Sequence, residues 1–543
     1  MKLLLPILLL CASASLTLRA ADDEGITWLV QYDGKALPDS TWTVVGKPKA
    51  QITNGTLHLA DDSDDFGHYR TAFKAEPEQE IIVEARVKVG VVSSLINGKP
   101  VGNLWPWRDG APVMLQVSDG RHQEGLVLMS TQIMNFTDRF VTMDTTKEFH
   151  TYRLIIRGTD MSMWVDGEQK VRGQGAFWKP AASPDPFIQF GSSAKRATGD
   201  AHWAHVKLGT RKPGATPKPL PLKVTMSEPW LIQRDDVKQT RPYLYEMGKG
   251  LLLMSVAQGP DALLEPYGVL KSTDAGKTWT PVAGLDQVAT APLPMLRRPD
   301  GTIFGASRWT WPQEDGSLIG KTVYLNADAT EHRLSDSRIV LPKEYMPEKR
   351  GEVVIFERHI WNDDDGGITA VVWSRKALPR PGGGSLADRV SHLVRSTDNG
   401  KTWTHLSAIG PGGEPAVARL SATEQVAITR GNSDSQMKQM ASHDAGRTWS
   451  APINLEVGKV APDMVLMSNG VLACSYGRPA SCLMLSMDGG KTWVSHHVIS
   501  DRVNFNYTSL REISPGRLLY VHDAPKLNAV YVDVERGTDS RNP

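Results

Sequence analysis

Ser272-Thr273-Asp274-Ala275-Gly276-Lys277-Thr278-Trp279 decides how the rest of the chain is read, because its pattern SxDxGxTW returns at Ser396 to Trp403, Ser442 to Trp449 and Ser486 to Trp493. The aspartate can accept backbone hydrogen bonds inside a tight turn, the glycine supplies a positive φ, and the tryptophan packs beneath the hairpin. The last three copies start 46 and 44 residues apart, about one four-stranded propeller blade, while the 124-residue gap after the first leaves room for blades without the motif. Dividing the roughly 320 residues beyond position 222 by about 50 per blade predicts six blades.

Upstream of the repeats, residues 211–222 include Lys212-Pro213-Gly214-Ala215-Thr216-Pro217-Lys218-Pro219-Leu220-Pro221, whose prolines favour extended polyproline II and cannot donate to a sheet ladder. This stretch is read as a linker between a domain over 21–210 and a propeller over 223–543. Before it, Thr56 to Leu59, Ile81 to Val87, Tyr152 to Ile156 and Met163 to Gly167 alternate apolar and polar residues and are rich in β-branched ones, as half-buried sandwich strands are. The run from His150 to Gly158 and the Asp166-Gly167 turn resemble concanavalin or laminin-G-like jelly rolls. The expected fold class is therefore all-β, a β-sandwich followed by a six-bladed β-propeller.

Two domains suit a chain of 543 residues. Met1-Lys2, the apolar Leu3 to Leu10 and the small residues up to Ala20 read as a signal peptide over 1–20, with cleavage after Ala14 or Ala20. Cys11 follows Leu10, where lipid attachment normally needs a small residue, so soluble export, secreted or periplasmic, is the expectation. Cys474 and Cys482 then remain, as one disulfide or as two thiols, without metal-site spacing. The 61 basic and 60 acidic residues are interspersed and give a net charge of +1, no footprint for nucleic acid, and no later stretch is apolar enough to span a membrane.

Four SxDxGxTW turns in register resemble the Asp boxes (BNR repeats) of the sialidase superfamily, and this resemblance implies structural roles for Asp274, Asp398, Asp444 and Asp488. Sialidases hold a sugar carboxylate with three arginines, whose planar, permanently charged forks suit it. They use an Asp as acid/base and a Tyr nucleophile activated by a Glu, in place of the usual carboxylate pair. Asn506-Tyr507-Thr508-Ser509-Leu510 followed by Gly516 to Tyr520 resembles the segment that carries the nucleophile, which implies that role for Tyr507. Gly413-Glu414-Pro415-Ala416-Val417 with Val426 to Arg430 resembles the family's Glu and Arg strand pair, implying Glu414 as the partner base and Arg430 as a carboxylate clamp. Arg478, eight residues before the last box, and Arg241, in Thr240-Arg241-Pro242, match the other two clamps. Asp261, in the Gly259-Pro260-Asp261 loop, matches the acid/base.

Read as residues alone, Tyr507 is also a strand tyrosine, Glu414 a loop carboxylate, and Asp261 a turn residue after proline. One departure concerns the second strand of the first blade, where sialidases carry Asp-x-Arg and this chain reads Met254-Ser255-Val256-Ala257-Gln258. Arg308, or Arg358-His359, is a candidate substitute. Trp105-Pro106-Trp107 offers a stacking platform for a sugar or a piece of core. The Asp61-Asp62-Ser63-Asp64-Asp65 run is either a Ca²⁺ loop or a solvated turn. The resemblance implies a retaining exo-α-sialidase that needs no cofactor, takes sialylated glycans or glycoproteins as partners and is expected to be a monomer. The alternatives are a propeller glycosidase or lyase for a uronate, and a glycan-binding lectin without catalysis.

Overall fold

The computed structural model describes residues 25–536 apart from 62–66, 77–78, 97–98, 101–110, 136–139, 174–176, 178, 195–196, 213–221, 233–238, 259–266, 286–291, 349–351, 380–384, 433–436, 456, 479, 494, 503–505 and 525. The chain divides into two compact units, Met1–Pro219 and Leu220–Pro543. Among the described residues there is no α-helix, and the one helical turn is the 3-10 turn Lys343–Tyr345. No helix among the described residues is long and apolar enough to cross a membrane.

The described residues of the first unit form a sandwich of a ten-stranded and a seven-stranded sheet. His150–Arg157 shows why: every second side chain is buried, so one face of the strand joins the core and the other meets solvent. Leu57, Val83, Leu154 and Trp203 from the larger sheet and Leu115, Leu126, Ile188 and Phe190 from the smaller one share that core. Asp166 and Gly167, both at positive φ, close the hairpin between Asp160–Val165 and Glu168–Gly173, the turn expected from Asp-Gly. Asp61 is buried and hydrogen-bonded by Ser192, so it is not part of an open Ca²⁺ loop. Asp62, Asp64, Asp65, Trp105, Trp107 and the stretch 1–20, read above as a signal peptide, lie outside the described residues.

Among the described residues, the second unit has six four-stranded antiparallel arrays. They begin at Gln239–Glu246, Pro292–Arg297, Val353–Asn362, Gly413–Arg419, Val460–Leu466 and Thr508–Ser514. The second and third are merged into one sheet by a parallel pairing of Arg338–Val340 with Thr402–Thr404. These six first strands touch one another in sequence, and the last touches the first, which makes a propeller around a central axis. Both faces of each array are covered by its neighbours, so its strands read as near-continuous apolar runs, as in Leu252–Gln258. Leu253 packs toward the second array while Leu252 and Met254 pack toward the sixth. The outer strand of the sixth array is Leu222–Met226, paired antiparallel with Asn528–Arg536, so the start of this unit completes its end.

Each Asp box joins the third and fourth strands of its array. In the box at 442–449, Ser442 Oγ donates to Asp444 Oδ1, Gly446 N–H to Ser442 Oγ, Thr448 N–H to Asp444 Oδ1, and Thr448 Oγ1 to Asp444 Oδ2, all between 2.6 and 2.9 Å. Those bonds hold the Asp444 pKa well below the usual range, to about 2, led by the Thr448 hydroxyl. Beyond shaping the turn, the boxes stitch arrays together. The Gly446 carbonyl accepts from Ser407 in the preceding array, Gly400 from Thr322 and Ser337, and Gly490 from Gln439. The tryptophans follow the same direction, Trp403 donating to Ser337, Trp449 to Ser407 and Trp493 to Gln439. Cys474 is buried, Cys482 is partly so, and both are thiols.

At Gly446, with φ of 81°, a Cβ would stand 2.5 Å from Leu393 of the preceding array. Gly446→Ala is expected to lower stability by about 2 kcal/mol, and Thr448→Ala by about 1 kcal/mol through lost hydrogen bonds. Both are read from urea unfolding followed by tryptophan fluorescence; a midpoint for Gly446→Ala equal to wild type would refute the stitch.

Candidate functional site

The first strands of the first, fourth and fifth arrays share one irregularity, a register shift between Thr240 and Tyr243, Gly413 and Ala416, and Val460 and Asp463. Inside each shift stands a residue at positive φ followed by proline: Arg241 at 49°, Glu414 at 49° and Ala461 at 47°. Such bulges re-aim a side chain, and each left-handed non-glycine residue costs about 1–3 kcal/mol. Arg478, ending the second strand of the fifth array, and Asn506, just before Tyr507, are also at positive φ. Five strained positions thus gather at one end of the axis. The Asp boxes belong to the other end, because first strands start near the bulges and finish beside the turns.

Tyr507 is the centre of this cluster. Its ring centroid is 5.7 Å from the guanidinium carbon of Arg241 and 5.6 Å from that of Arg478. Arg430 is near enough for its charge to act on the Tyr507 hydroxyl, and its Nη1 donates to Glu414 Oε1 at 2.6 Å. Glu414 Oε2 accepts from Ala461 N–H at 3.0 Å, so its two oxygens are engaged by Arg430 and the backbone rather than by Tyr507. Tyr507, Glu414 and Arg241 are all buried. Burial first, then the Glu414 carboxylate, pushes the Tyr507 pKa up to about 12, with Arg430, Arg478 and Arg241 pulling it back. Glu414 is held down at about 2: burial opposes this, but Arg430, Arg478 and the Ala461 N–H outweigh it. At neutral pH the cluster is a phenol beside a carboxylate and three cations.

The structure thus brings five of the six expected site residues together, and Asp261 lies outside the described residues. It also adds two that the sequence reading passed over. Asp523 Oδ1 accepts from Tyr507 N–H at 2.8 Å and Oδ2 from Arg241 N–H at 2.9 Å, so one buried carboxyl fixes two backbone segments of the site. Burial raises its pKa to about 6 against those hydrogen bonds and the charges of Arg241 and Arg478. Arg389 lies beside Glu414, Arg430 and Tyr507, and its charge is felt by all three. A Cβ on Gly413 would come within 2.6 Å of the Arg389 side chain, and the Gly412-Gly413 pair was the signal for that approach. For Asp523 the signal was a carboxylate ending the apolar run Leu518-Leu519-Tyr520-Val521.

Arg308, Arg358 and His359, weighed as replacements for a missing sugar contact, are used within the axis instead. Arg308 Nη1 donates to Tyr243 Oη at 2.7 Å and stands 4.0 Å from Glu357. Arg358 Nη1 donates to the Thr508 carbonyl at 2.9 Å and lies 3.7 Å from Asp463, whose other oxygen is 3.0 Å from His359 Nε2. Arg511 completes the network on Asp463 at 2.9 Å.

Residues 305–520 match the family model of the BNR repeat-like domain. A sialidase of Bacteroides fragilis is 30% identical over 176 residues, 23% of this chain and 32% of that protein. The chain thus matches about a third of the length of that curated relative. Among solved structures, a protein of unknown function from Dyadobacter fermentans aligns with 17% identity and a TM-score of 0.46, over 57% of this chain and 99% of that one. The NanB sialidase of Streptococcus pneumoniae, as a mutant, aligns with 10% identity and a TM-score of 0.34, over 84% and 95%. Residues 305–520 of this chain thus carry a BNR repeat-like match, and the four Asp-box turns, one of them before that stretch, are built alike, each aspartate accepting from the threonine N–H four residues on.

Proposed function

We propose that the protein is an exported, monomeric exo-glycosidase that removes terminal α-linked sialic acid from glycoconjugates with retention of configuration. The observation that carries this reading is the convergence of Arg241, Arg430 and Arg478 on Tyr507, with Glu414 held ionised beside them. A sugar that bears its carboxylate on the anomeric carbon would meet the three guanidinium groups with that carboxylate, which leaves the anomeric carbon facing the tyrosine oxygen. A neutral phenol approaches that carbon without the repulsion a carboxylate nucleophile would meet.

In this reading the Tyr507 oxygen bonds to the anomeric carbon as the glycosidic oxygen leaves, protonated by Asp261, whose role rests on the family resemblance. Glu414 takes the phenol proton. With a pKa of about 2 it is a poor base for a phenol near 12. A substrate carboxylate drawing on Arg430 would loosen the Arg430–Glu414 pair and raise the basicity of Glu414. Water then attacks the tyrosyl-bound carbon and gives its proton to Asp261, while the Tyr507 oxygen leaves and takes back the proton held by Glu414, which releases the sugar. No cofactor takes part.

A second reading is an acidic sugar of the uronate class. The fourth arginine, Arg389, and the absence of Asp-x-Arg on the Leu252–Gln258 strand favour a carboxylate pocket less specialised than a sialidase's. Activity on uronate glycosides that survives Tyr507→Phe would select it.

The primary test is release of free sialic acid from α2,3- and α2,6-sialyllactose. Tyr507→Phe is expected to lower kcat by about a hundredfold or more, and Glu414→Gln similarly, with thermal melting unchanged to within a few degrees. Wild-type protein that releases nothing from either substrate would defeat the proposal. Arg430→Lys keeps the charge but loses the fork, so KM should rise about tenfold. Asp523 accepts both backbone hydrogen bonds as a carboxylate, its state above about pH 6. Below that pH a proton occupies one oxygen, so wild-type kcat/KM should fall as pH drops through about 6. Asp523→Asn should be less active throughout and lack that step; a step retained in this variant would assign it to another group.

A further inference from the structure

The solvent-facing side of the ten-stranded sheet, in the first unit, brings His58, Asp200 and His202 together. His58 and His202 are direct partners in the antiparallel pairing of Thr56–Asp61 with Ala197–Arg211. Asp200, two residues before His202, shares its face of the strand. The two imidazoles are stacked with centroids 4.5 Å apart, and His58 Nε2 lies 3.3 Å from Asp200 Oδ2. One ligand atom from each of the three residues falls within 4.8 Å of the others. The side chains of His58 and Asp200 are 21% and 34% exposed, so the spot is open to small solutes.

Hydrogen bonds around the trio aim it at one point. Thr56 Oγ1 donates its one proton to the Thr53 carbonyl at 2.9 Å, so toward His202 Nδ1, 3.2 Å away, it accepts. His202 therefore carries its proton on Nδ1 and presents the Nε2 lone pair. Asp200 Oδ1 accepts from Val91 N–H at 3.1 Å, which leaves Oδ2 for the histidines. The carboxylate can lie there only because residue 90 is glycine: a Cβ would stand 2.2 Å from Oδ2. Gln51 Nε2 lies 3.2 Å from His58 Nδ1; a turn of that amide on metal binding would bring its oxygen there to accept Nδ1–H and leave Nε2 as a lone pair. Lys88, opposite His202 on the neighbouring strand, is the cation beside the trio.

We propose that His58 Nε2, His202 Nε2 and a carboxylate oxygen of Asp200 form a binding site for a divalent transition metal. Two imidazoles and one carboxylate suit Zn²⁺, Co²⁺ or Ni²⁺, with water in the fourth position of a tetrahedral shell. The partners on His202 Nδ1, His58 Nδ1 and Asp200 Oδ1 are of the kind that orient metal ligands. On binding, the metal replaces the hydrogen bond between His58 Nε2 and Asp200 Oδ2, and a proton held there leaves to solvent. The site does not depend on the sialidase reading, since none of the residues assigned to that chemistry belongs to this unit.

The test uses the full chain, stripped with a chelator and titrated with CoCl2 followed in the visible spectrum, and with ZnCl2 by calorimetry. One equivalent of Co²⁺ is expected to bind with a four-coordinate spectrum that Zn²⁺ abolishes. His58→Ala and His202→Ala should each weaken binding at least about tenfold, and Thr56→Val, which removes only the partner of Nδ1, about tenfold. Near-UV circular dichroism checks folding, and His58→Gln with His202→Gln repeats the test at similar volume should an alanine variant unfold. Wild-type protein that binds no metal, or binding unchanged when both histidines are replaced, would overturn the assignment.

Discussion

Closing the ring is the constraint on which the second unit depends. Leu222–Met226 supplies the outer strand of an array whose other three strands come from the end of the unit, and their antiparallel pairing joins residues more than 300 positions apart in sequence. The seam lies beside the expected chemistry. Arg241 is on the first strand of the first array, Tyr507 immediately precedes the first strand of the sixth, and the Asp523 carboxyl bonds the backbone of both. An open ring would leave the first five arrays with their internal hydrogen bonds but would separate the arginine from the tyrosine. Fold and site are therefore coupled at one place, and the coupling is carried by a buried group that makes two backbone hydrogen bonds.

Along the axis below Tyr507 the protein buries charge on purpose-built partners. Glu357 and Asp463 are fully buried carboxylates, faced by Arg308, Arg358 and Arg511. Removing any one partner from such a network leaves an uncompensated charge in a poorly polarisable interior. The Trp373 indole N–H on Glu357 and the Leu510 N–H on Asp463 satisfy further lone pairs. The first strands, which meet at the axis with little apolar volume available, are held there by directional bonds that fix their relative heights. Those heights in turn set the positions of the bulged residues Arg241, Glu414 and Ala461.

What the sequence disclosed follows from how local each signal is. An Asp box completes its own hydrogen bonds within eight residues, so four copies announced an all-β propeller. The second array, spanning Pro292 to Val340, closes its outer turn with Asn326 and Asp328 rather than a box and was visible only as a gap in the spacing. Tyr507, Glu414, Arg430, Arg478 and Arg241 were found through the family resemblance, although the recurrence of a residue-proline pair at 241–242, 414–415 and 461–462 was an internal clue to the bulges. Asp523 and Arg389 were missed because their partners lie on other arrays, and no periodicity records such contacts. The axial ion network was missed for the same reason; Arg358-His359 was weighed as a substitute sugar contact, and both residues are buried beside Glu357.

The direction of the Asp-box stitches has a consequence for how the molecule comes into being. The box glycines Gly400, Gly446 and Gly490 each accept from the array made before them, so a chain emerging N-terminus first finds those docking edges already synthesised. Growth can proceed array by array through contacts of short loop length, which are the fast ones to form. The seam is the exception. It must wait for Asn528–Arg536, and until that strand arrives the opening segment Leu222–Met226 has no partner for its ladder. The tyrosine–arginine cluster is thus the last feature of the propeller to exist, and a nascent chain short of its final strands carries an almost finished scaffold without that cluster.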